Sequence, residues 1–309
     1  MTPNNSDHRP QADTTSLWRD PLPAVFVFLW STGFIGAKLG APYSEPFTFL
    51  AIRFGMAALL MAIIGLALNV QWPNTLPRIF HAIMVGILIH GMYLGGVFWA
   101  IDNGISAGIS ALIVSMQPLF TGIIVGALFG EHVPAKRWLG LGLGFLGVIM
   151  VIWQSLDFGF TLDGMNSIEA AGIGACILSL IGITTGTLYQ RRFCINEDLR
   201  AHQAIQLGSA TIAMIILSFA LETQTIKWEI PFIVALIWLS LIMSVGTFTL
   251  LYVLIRRGSA TQITSLFYMV PPLTALMAYF LFDETLSTLA LAGMVVTVSG
   301  VALATRKYV

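Results

Sequence analysis

The residues best placed for chemistry are polar and aromatic side chains embedded in long apolar runs. His90 and Tyr93 share one face of the run 79–101, because residues three apart are neighbours on a helix. An ionisable side chain inside a bilayer is costly, and it marks a functional site by default. The sequence therefore offers two interpretations of His90. It contacts a solute or relays a proton, or it stays neutral and hydrogen-bonds a neighbouring helix.

Other residues of the same kind complete a predicted substrate-binding set. This set consists of Trp30, His90, Tyr93, Gln117, Tyr268 and Met269. Aromatic rings in offset or edge-on contact favour large apolar or aromatic solutes, although core packing is the competing interpretation of each ring taken alone. Trp99 and Tyr252 lie 153 residues apart, Trp99 near the predicted outer end of the third span and Tyr252 toward the predicted inner end of the eighth. They are predicted to form mirrored gates, with anchoring in the membrane interface as the alternative.

Prolines interrupt two further apolar runs. Pro118 lies in "MQPLF", and Pro271 and Pro272 lie in "MVPPL". A proline inside a helix removes a backbone hydrogen bond and displaces the carbonyl four residues earlier. In lipid that carbonyl must face protein or a watery cavity. The three prolines are predicted to kink their helices near the midplane, either for packing alone or to help line a cavity.

Composition places the whole chain in a membrane. Of the 309 residues 57% are hydrophobic and only 10% are charged, whereas a soluble domain carries about 25% charge. The apolar runs are of the length that crosses a bilayer as a helix, and they lack the period-2 alternation of a membrane barrel. Ten spans are predicted, at 21–40, 46–68, 79–101, 106–129, 135–153, 168–190, 201–221, 231–255, 259–282 and 287–305.

The basic residues predict the orientation. Twelve lie on the side of the N-terminus and only two, Lys38 and Lys227, lie on the other side; Arg53 falls inside a span, which accounts for all 15. Excess Lys and Arg mark cytoplasmic loops, so both termini are predicted to be cytoplasmic. Arg53 is expected to snorkel toward the outer face, with contact to an anion as the alternative.

The chain repeats itself at an offset of 153 residues. Placed on 259–304 without a gap, the segment 106–151 is identical at 11 of 46 positions, including Pro118/Pro271 and Glu131/Glu284. Residues 21–153 and 168–305 therefore form two repeats. Each holds five spans, an odd number, so the second must be inverted, as in many secondary transporters. Residues 1–20 are predicted to be a disordered cytoplasmic segment, 154–167 a linker and 306–309 a cytoplasmic C-terminus.

Each half resembles a domain of the EamA family, within the drug/metabolite transporter superfamily. The resemblance is carried by "FLWSTGF", by "AGISALIVSMQPLFTGIIVGALFGE" and by its second copy "ATQITSLFYMVPPLTALMAYFLFDE", each copy followed by a Gly-spaced span. The faces Gly140-x3-Gly144 and Gly293-x3-Thr297 in these Gly-spaced spans predict close helix packing. The second copy departs from the first at Ile183-Thr184, where the first has Trp30-Ser31.

The resemblance implies an exporter of small metabolites, often amino acids, in the bacterial inner membrane. The rings favour aromatic or large neutral amino acids. Nucleosides, organic cations or drugs remain alternative solutes, and an intramembrane enzyme is a distant alternative. The expected partners are a small-molecule substrate and the lipid bilayer. No metal, cofactor or nucleic acid is expected, and the protein is predicted to act as a monomer or a homodimer.

Overall fold

The computed structural model describes residues 20–105, 107–130, 133–153, 167–282 and 286–306. Within these residues ten helices are long and apolar enough to cross a bilayer. They are α1 Leu22–Tyr43, α2 Pro46–Ala67, α3 Leu76–Asp102, α4 Ser110–Ala127, α5 Ala135–Ile152, α6 Ala170–Phe193, α7 Leu199–Leu221, α8 Ile230–Arg257, α9 Ala260–Leu281 and α10 Thr288–Thr305. The prediction of an all-α membrane protein with ten spans is confirmed.

Several predicted features lie outside the described residues. They are the disordered segment apart from Asp20, the linker apart from Ser167, the last three residues of the chain, and the paired Glu131 and Glu284.

Helix packing follows the repeat. α2 packs along α7 and α5 packs along α10, so each of these pairs joins corresponding helices of the two halves. α1 packs against α8 and α9, and α6 packs in the equivalent way against α3 and α4. Five spans per half and these mirrored contacts give the two inverted five-helix repeats that the sequence predicts.

The two ends of the bundle differ in charge. One end, called here the basic end, carries Arg78 at the start of α3 and Arg256 and Arg257 at the end of α8. The opposite end, called the acidic end, carries Glu45 and Glu222 beside the first turn of α2. These names locate the sites described below.

The two proline-containing helices are interrupted at equivalent positions. In α4 the helix breaks at Met116, just before Pro118. In α9 a 3₁₀ segment, Leu266–Met269, precedes Pro271. Because 116 and 269 differ by the repeat offset, the same local change in winding occurs in both halves, on the N-terminal side of the proline.

A second pair of interruptions has no proline to mark it. Segments of π-helix occupy Gly86–Leu94 in α3 and Leu239–Thr247 in α8. Their bounds differ by 153 at both ends, so this feature also belongs to the repeat. π-Helical segments inside α-helices often occur at functional sites. These segments were not predictable from the sequence, since no residue type specifies a π-turn.

Glu222, at the C-terminal end of α7, caps the first turn of α2. Its carboxylate accepts the backbone N–H groups of Phe47 at 2.6 Å and Thr48 at 2.7 Å, together with the Thr48 hydroxyl. In return, Glu45 accepts the backbone N–H groups of Thr223 and Thr225. Partial burial raises the pKa of Glu45, but these hydrogen bonds outweigh it and hold the pKa below its usual value. The stability that Glu45 contributes is therefore present above its usual pKa and lost as pH falls through the lowered value.

Replacing Glu222 by glutamine should lower the stability of the α2–α7 pair. The amide has no negative charge for the N-terminus of α2, and only one of its two polar groups can accept the three N–H and O–H donors. We expect a loss of about 1–3 kcal/mol, seen as a lower melting temperature of the purified protein. Glu229→Gln is the matched control, because Glu229 is exposed and caps no helix through its side chain. Equal melting temperatures for the two variants would contradict this role.

Candidate functional site

A small cavity lies among α1, α2, α3 and α8, where the two halves meet. Trp30, Arg53, Tyr93, Met243 and Phe248 line this central cavity, which has a volume of about 50 Å³. Sites for small organic molecules are usually of about 300–1,000 Å³. In the described conformation the cavity is therefore too small for such a molecule, and admitting a solute requires its walls to move apart.

Trp30 closes the cavity toward the basic end as part of an aromatic cluster. Its ring centroid lies 4.8 Å from that of Phe267, 4.9 Å from that of Phe248 and 5.2 Å from that of Phe26. We call these four rings the aromatic plug. Tilted and edge-on contacts of this kind add about 0.5–1.5 kcal/mol each beyond the area they bury. Since the rings come from α1, α8 and α9, the plug joins the first half of the chain to the second.

Beyond the plug, toward the basic end, lies a narrower crevice. Its volume is about 10 Å³, and its walls include Thr187, Leu251 and Phe267. Phe267 thus touches Trp30 on one side and lines the crevice on the other. Thr187 and Leu251 are the repeat counterparts of Phe34 and Phe98, which line the central cavity. The cavity and the crevice are therefore partly mirrored openings on either side of the plug.

The plug itself is not duplicated. The repeat counterparts of its four residues are Ser179, Ile183, Gly95 and Val114, none of which is aromatic. The symmetry of the backbone is accordingly broken by side chains, and only one of the two mirrored positions carries an aromatic barrier.

His90 lies in an aromatic environment beside the plug. It is fully buried, with its ring centroid 4.4 Å from that of Phe248 and 5.5 Å from that of Phe54. Neither ring nitrogen has a hydrogen-bond partner among the described residues. His90 does not itself line the central cavity, and its contact with a solute or a proton stays a prediction.

Arg53 does not snorkel, contrary to the expectation from sequence. Only 2% of its surface is exposed, and the residue lines the central cavity. Its Nε donates a hydrogen bond to Ser244 Oγ at 3.0 Å, in the π-helical segment of α8. The reason is geometric: Arg53 lies on the face of α2 that packs against the π-helical segment of α8, so its side chain meets protein rather than lipid.

Tyr93 and Gln117 lie close to the region where the halves meet. Tyr93 lines the central cavity together with Trp30 and Arg53. Gln117 is buried and donates from Nε2 to the Thr187 hydroxyl at 3.4 Å, which links α4 to α6. Trp30, Tyr93 and Arg53 are thus brought together, whereas Gln117 lies nearer the crevice.

Tyr268 and Met269 are placed differently from the rest of the predicted set. Tyr268 packs into the contact between α5 and α10, where an added Cβ on Gly144 would lie 2.6 Å from its ring. Met269 is partly buried between that cluster and the central core. Neither lines the central cavity in this conformation, and their contact with a solute stays a prediction.

The predicted gates and kinks lie at mirrored places. Trp99 is partly buried against the core in the last turns of α3, whereas Tyr252 is fully buried beside Leu251 of the crevice wall. Pro118 and Pro272 are buried, and Pro271 is partly exposed. The gating role of Trp99 and Tyr252 stays a prediction.

Comparison with known proteins gives a consistent set of relatives. The sequence profile described as the EamA-like transporter family matches residues 21–153 and 170–306, one match in each half. The uncharacterized transporter YvbV of Bacillus subtilis strain 168 is 26% identical over 93% of this chain and 91% of its own. The uncharacterized inner membrane transporter YedA of Escherichia coli K12 is 27% identical over 90% and 87%, respectively.

Two further similarities concern activity and fold. A protein of Salmonella typhimurium strain LT2 named a probable amino-acid metabolite efflux pump is 24% identical over 90% of this chain and 92% of its own. One solved crystal structure superposes on 94% of this chain and 98% of its own, with a TM-score of 0.75 and 18% identity. At that identity the likeness shows a shared fold.

Proposed function

This chain belongs to the EamA-like transporter family, and we propose that it exports amino acids, with aromatic and large neutral ones preferred. The observation that carries the proposal is the central cavity, which lies between the two inverted halves and is walled by Trp30, Tyr93 and Phe248. Inverted-repeat transporters bind their solutes at this location. A relative named as a probable amino-acid metabolite efflux pump supports the same class of solute.

The transport mechanism we propose is alternating access. The central cavity and the crevice lie on opposite sides of the plug, so a rocking motion of the halves would open one while closing the other. The proline breaks and the π-helical segments supply four places where the helices are less regularly wound. Transport needs no covalent step, and no enzymatic activity is proposed.

The proposed setting is the bacterial inner membrane, with the basic end in the cytoplasm. The excess of Lys and Arg at that end supports the orientation. A substituted cysteine at Arg78, labelled from one side of sealed vesicles, tests it. Labelling from the periplasmic side would reverse the orientation.

Counterflow in proteoliposomes tests the function. Vesicles are loaded with one unlabelled amino acid at high concentration, and entry of the labelled form is followed over the twenty standard amino acids. We expect transient accumulation of aromatic and large neutral amino acids, such as phenylalanine, tryptophan and leucine, and none in protein-free vesicles. The same assay is repeated with nucleosides and organic cations. Counterflow of these solutes, with none for any amino acid, would overturn the amino acid assignment while leaving the transporter family unaffected.

A further inference from the structure

Arg53 is a buried cation that is largely unpaired in the described structure. A guanidinium has five N–H donors, and one bond, from Nε to Ser244, is formed with the described residues. No acidic side chain forms an ion pair with Arg53 in the part of the chain that the structure describes. The guanidinium carbon also lies 5.6 Å from the Phe54 ring centroid, a weak cation–π contact.

Such a residue is expensive to keep inside a membrane. A buried charge without a partner is costly, and replacing it by an apolar residue of similar size is often neutral or stabilising. Packing therefore does not account for an arginine at this position. The remaining N–H groups form a planar fork, which matches a carboxylate through two parallel hydrogen bonds.

The residues around Arg53 determine which other chemical groups a bound solute can have. The central cavity is also lined by Trp30, Phe248 and other apolar side chains, and Tyr93 supplies one hydroxyl. None of the residues lining it is acidic, so the cavity itself holds no carboxylate that could pair with an ammonium group. The repeat counterpart of Arg53 is the neutral Gln206, which is bonded to Gln190. Among the described residues Arg53 is therefore the one buried Arg or Lys, and it lies on the acidic-end side of the plug.

We propose that Arg53 binds the carboxylate of the transported solute while the apolar part of the solute lies against Trp30 and Phe248. The inference rests on the proposed transport function and deepens it. The solute class is an apolar or aromatic carboxylate, in which the carboxylate is required and the amino group is not. Ser244 holds Nε and thereby leaves the two terminal NH₂ groups for the carboxylate.

Binding to the purified full-length protein tests this assignment with three matched probes. Phenylalanine carries both charged groups, 3-phenylpropionate lacks the amino group, and phenethylamine lacks the carboxylate. We expect the wild type to bind the first two and not the third in equilibrium titrations. Arg53→Met should weaken binding of both carboxylates about 10- to 100-fold, and Arg53→Lys should weaken it less, because it keeps the charge but loses the planar fork.

A matched control and a second readout keep the outcome unambiguous. Arg78→Met removes one cation from the exposed basic end, where Arg78 pairs with Glu197, and should leave all three affinities unchanged. Melting temperatures show whether each variant is folded; if Arg53→Met is not, Arg53→Lys and Ser244→Ala carry the test. Phenethylamine binding as tightly as phenylalanine, carboxylate binding unchanged in a folded Arg53 variant, or no carboxylate binding by the wild type would each overturn the proposal.

The result also separates this proposal from the proposed function. Arg53-dependent binding of 3-phenylpropionate without counterflow of any amino acid would support the anchor and overturn amino acid export. Counterflow of phenylalanine that is unchanged in Arg53→Met would support export and overturn the anchor.

Discussion

Replacing Gly300 by leucine should prevent the protein from folding. A Cβ at Gly300 would lie 2.3 Å from the backbone nitrogen of Gly144 and 2.8 Å from the carbonyl oxygen of Gly140. These are backbone atoms of α5, so a side chain can enter only if α5 and α10 move apart. Losing that contact should cost more than about 4 kcal/mol, which is at the upper end for a single substitution. We expect folded yield, measured as the monodisperse peak of solubilised protein, to fall at least about tenfold.

Gly142→Leu is the control for this experiment. Gly142 lies on α5 between Gly140 and Gly144, the two residues that Gly300 of α10 contacts. An added Cβ on Gly142 would meet nothing within 4 Å. The same change in residue type should therefore leave the yield near that of the wild type. A Gly300→Leu protein with a normal peak and melting temperature would show that α5 and α10 are not in close contact in the native molecule.

The sequence alone predicted that α5 and α10 pack closely through small residues, although not which helix each one meets, and the reason is physical. Helix association in lipid depends on close backbone approach, which requires small residues at a spacing of four. The pairs Gly140/Gly144 and Gly293/Thr297 have that spacing, and the structure places the first pair against Gly300 and the second against Gly147. The ten spans were predictable on similar grounds, because hydropathy and length are local properties.

Other features were not predictable because they depend on neighbours in space. Arg53 was expected near the lipid interface, since a single sequence does not show which face of α2 is covered. Tyr268 and Trp30 are both aromatic and mid-span, yet they point into different clusters. When the two π-helical segments are aligned at the offset of 153, only two positions carry the same residue, Leu88/Leu241 and Ile89/Ile242. No pattern search would single out so weak a match.

The asymmetry of the plug could have been found from the repeat. Placing the two halves at the offset of 153 sets Phe26, Trp30 and Phe267 against Ser179, Ile183 and Val114. Trp30 is the one member of the plug at which this difference was predicted. Comparison of aromatic residues across all equivalent positions would have indicated that one side of the molecule carries a barrier.

Replacing Phe267 by alanine should open the path between the central cavity and the crevice. Phe267 is the plug residue that contacts both Trp30 and the crevice wall, and only 9% of its surface is exposed. The test uses Ala37→Cys, a position on the cavity wall, in a chain whose two cysteines, Cys176 and Cys194, are replaced by alanine. A membrane-impermeant thiol reagent applied from the basic end should react about tenfold or more faster after Phe267→Ala, because the barrier ring is gone.

Phe280→Ala is the matched control, since Phe280 lies on the same helix with 72% of its surface exposed to the surroundings of the bundle. It should leave the reaction rate from the basic end at the level of the parent chain.

The plug also predicts a functional consequence: a Phe267→Ala carrier should lose accumulation in counterflow, because solute would escape through a pathway that no longer closes. Equal reaction rates for the Phe267 and Phe280 variants would show that the barrier lies elsewhere, and the symmetry argument would then favour Tyr252, the buried ring beside the crevice wall.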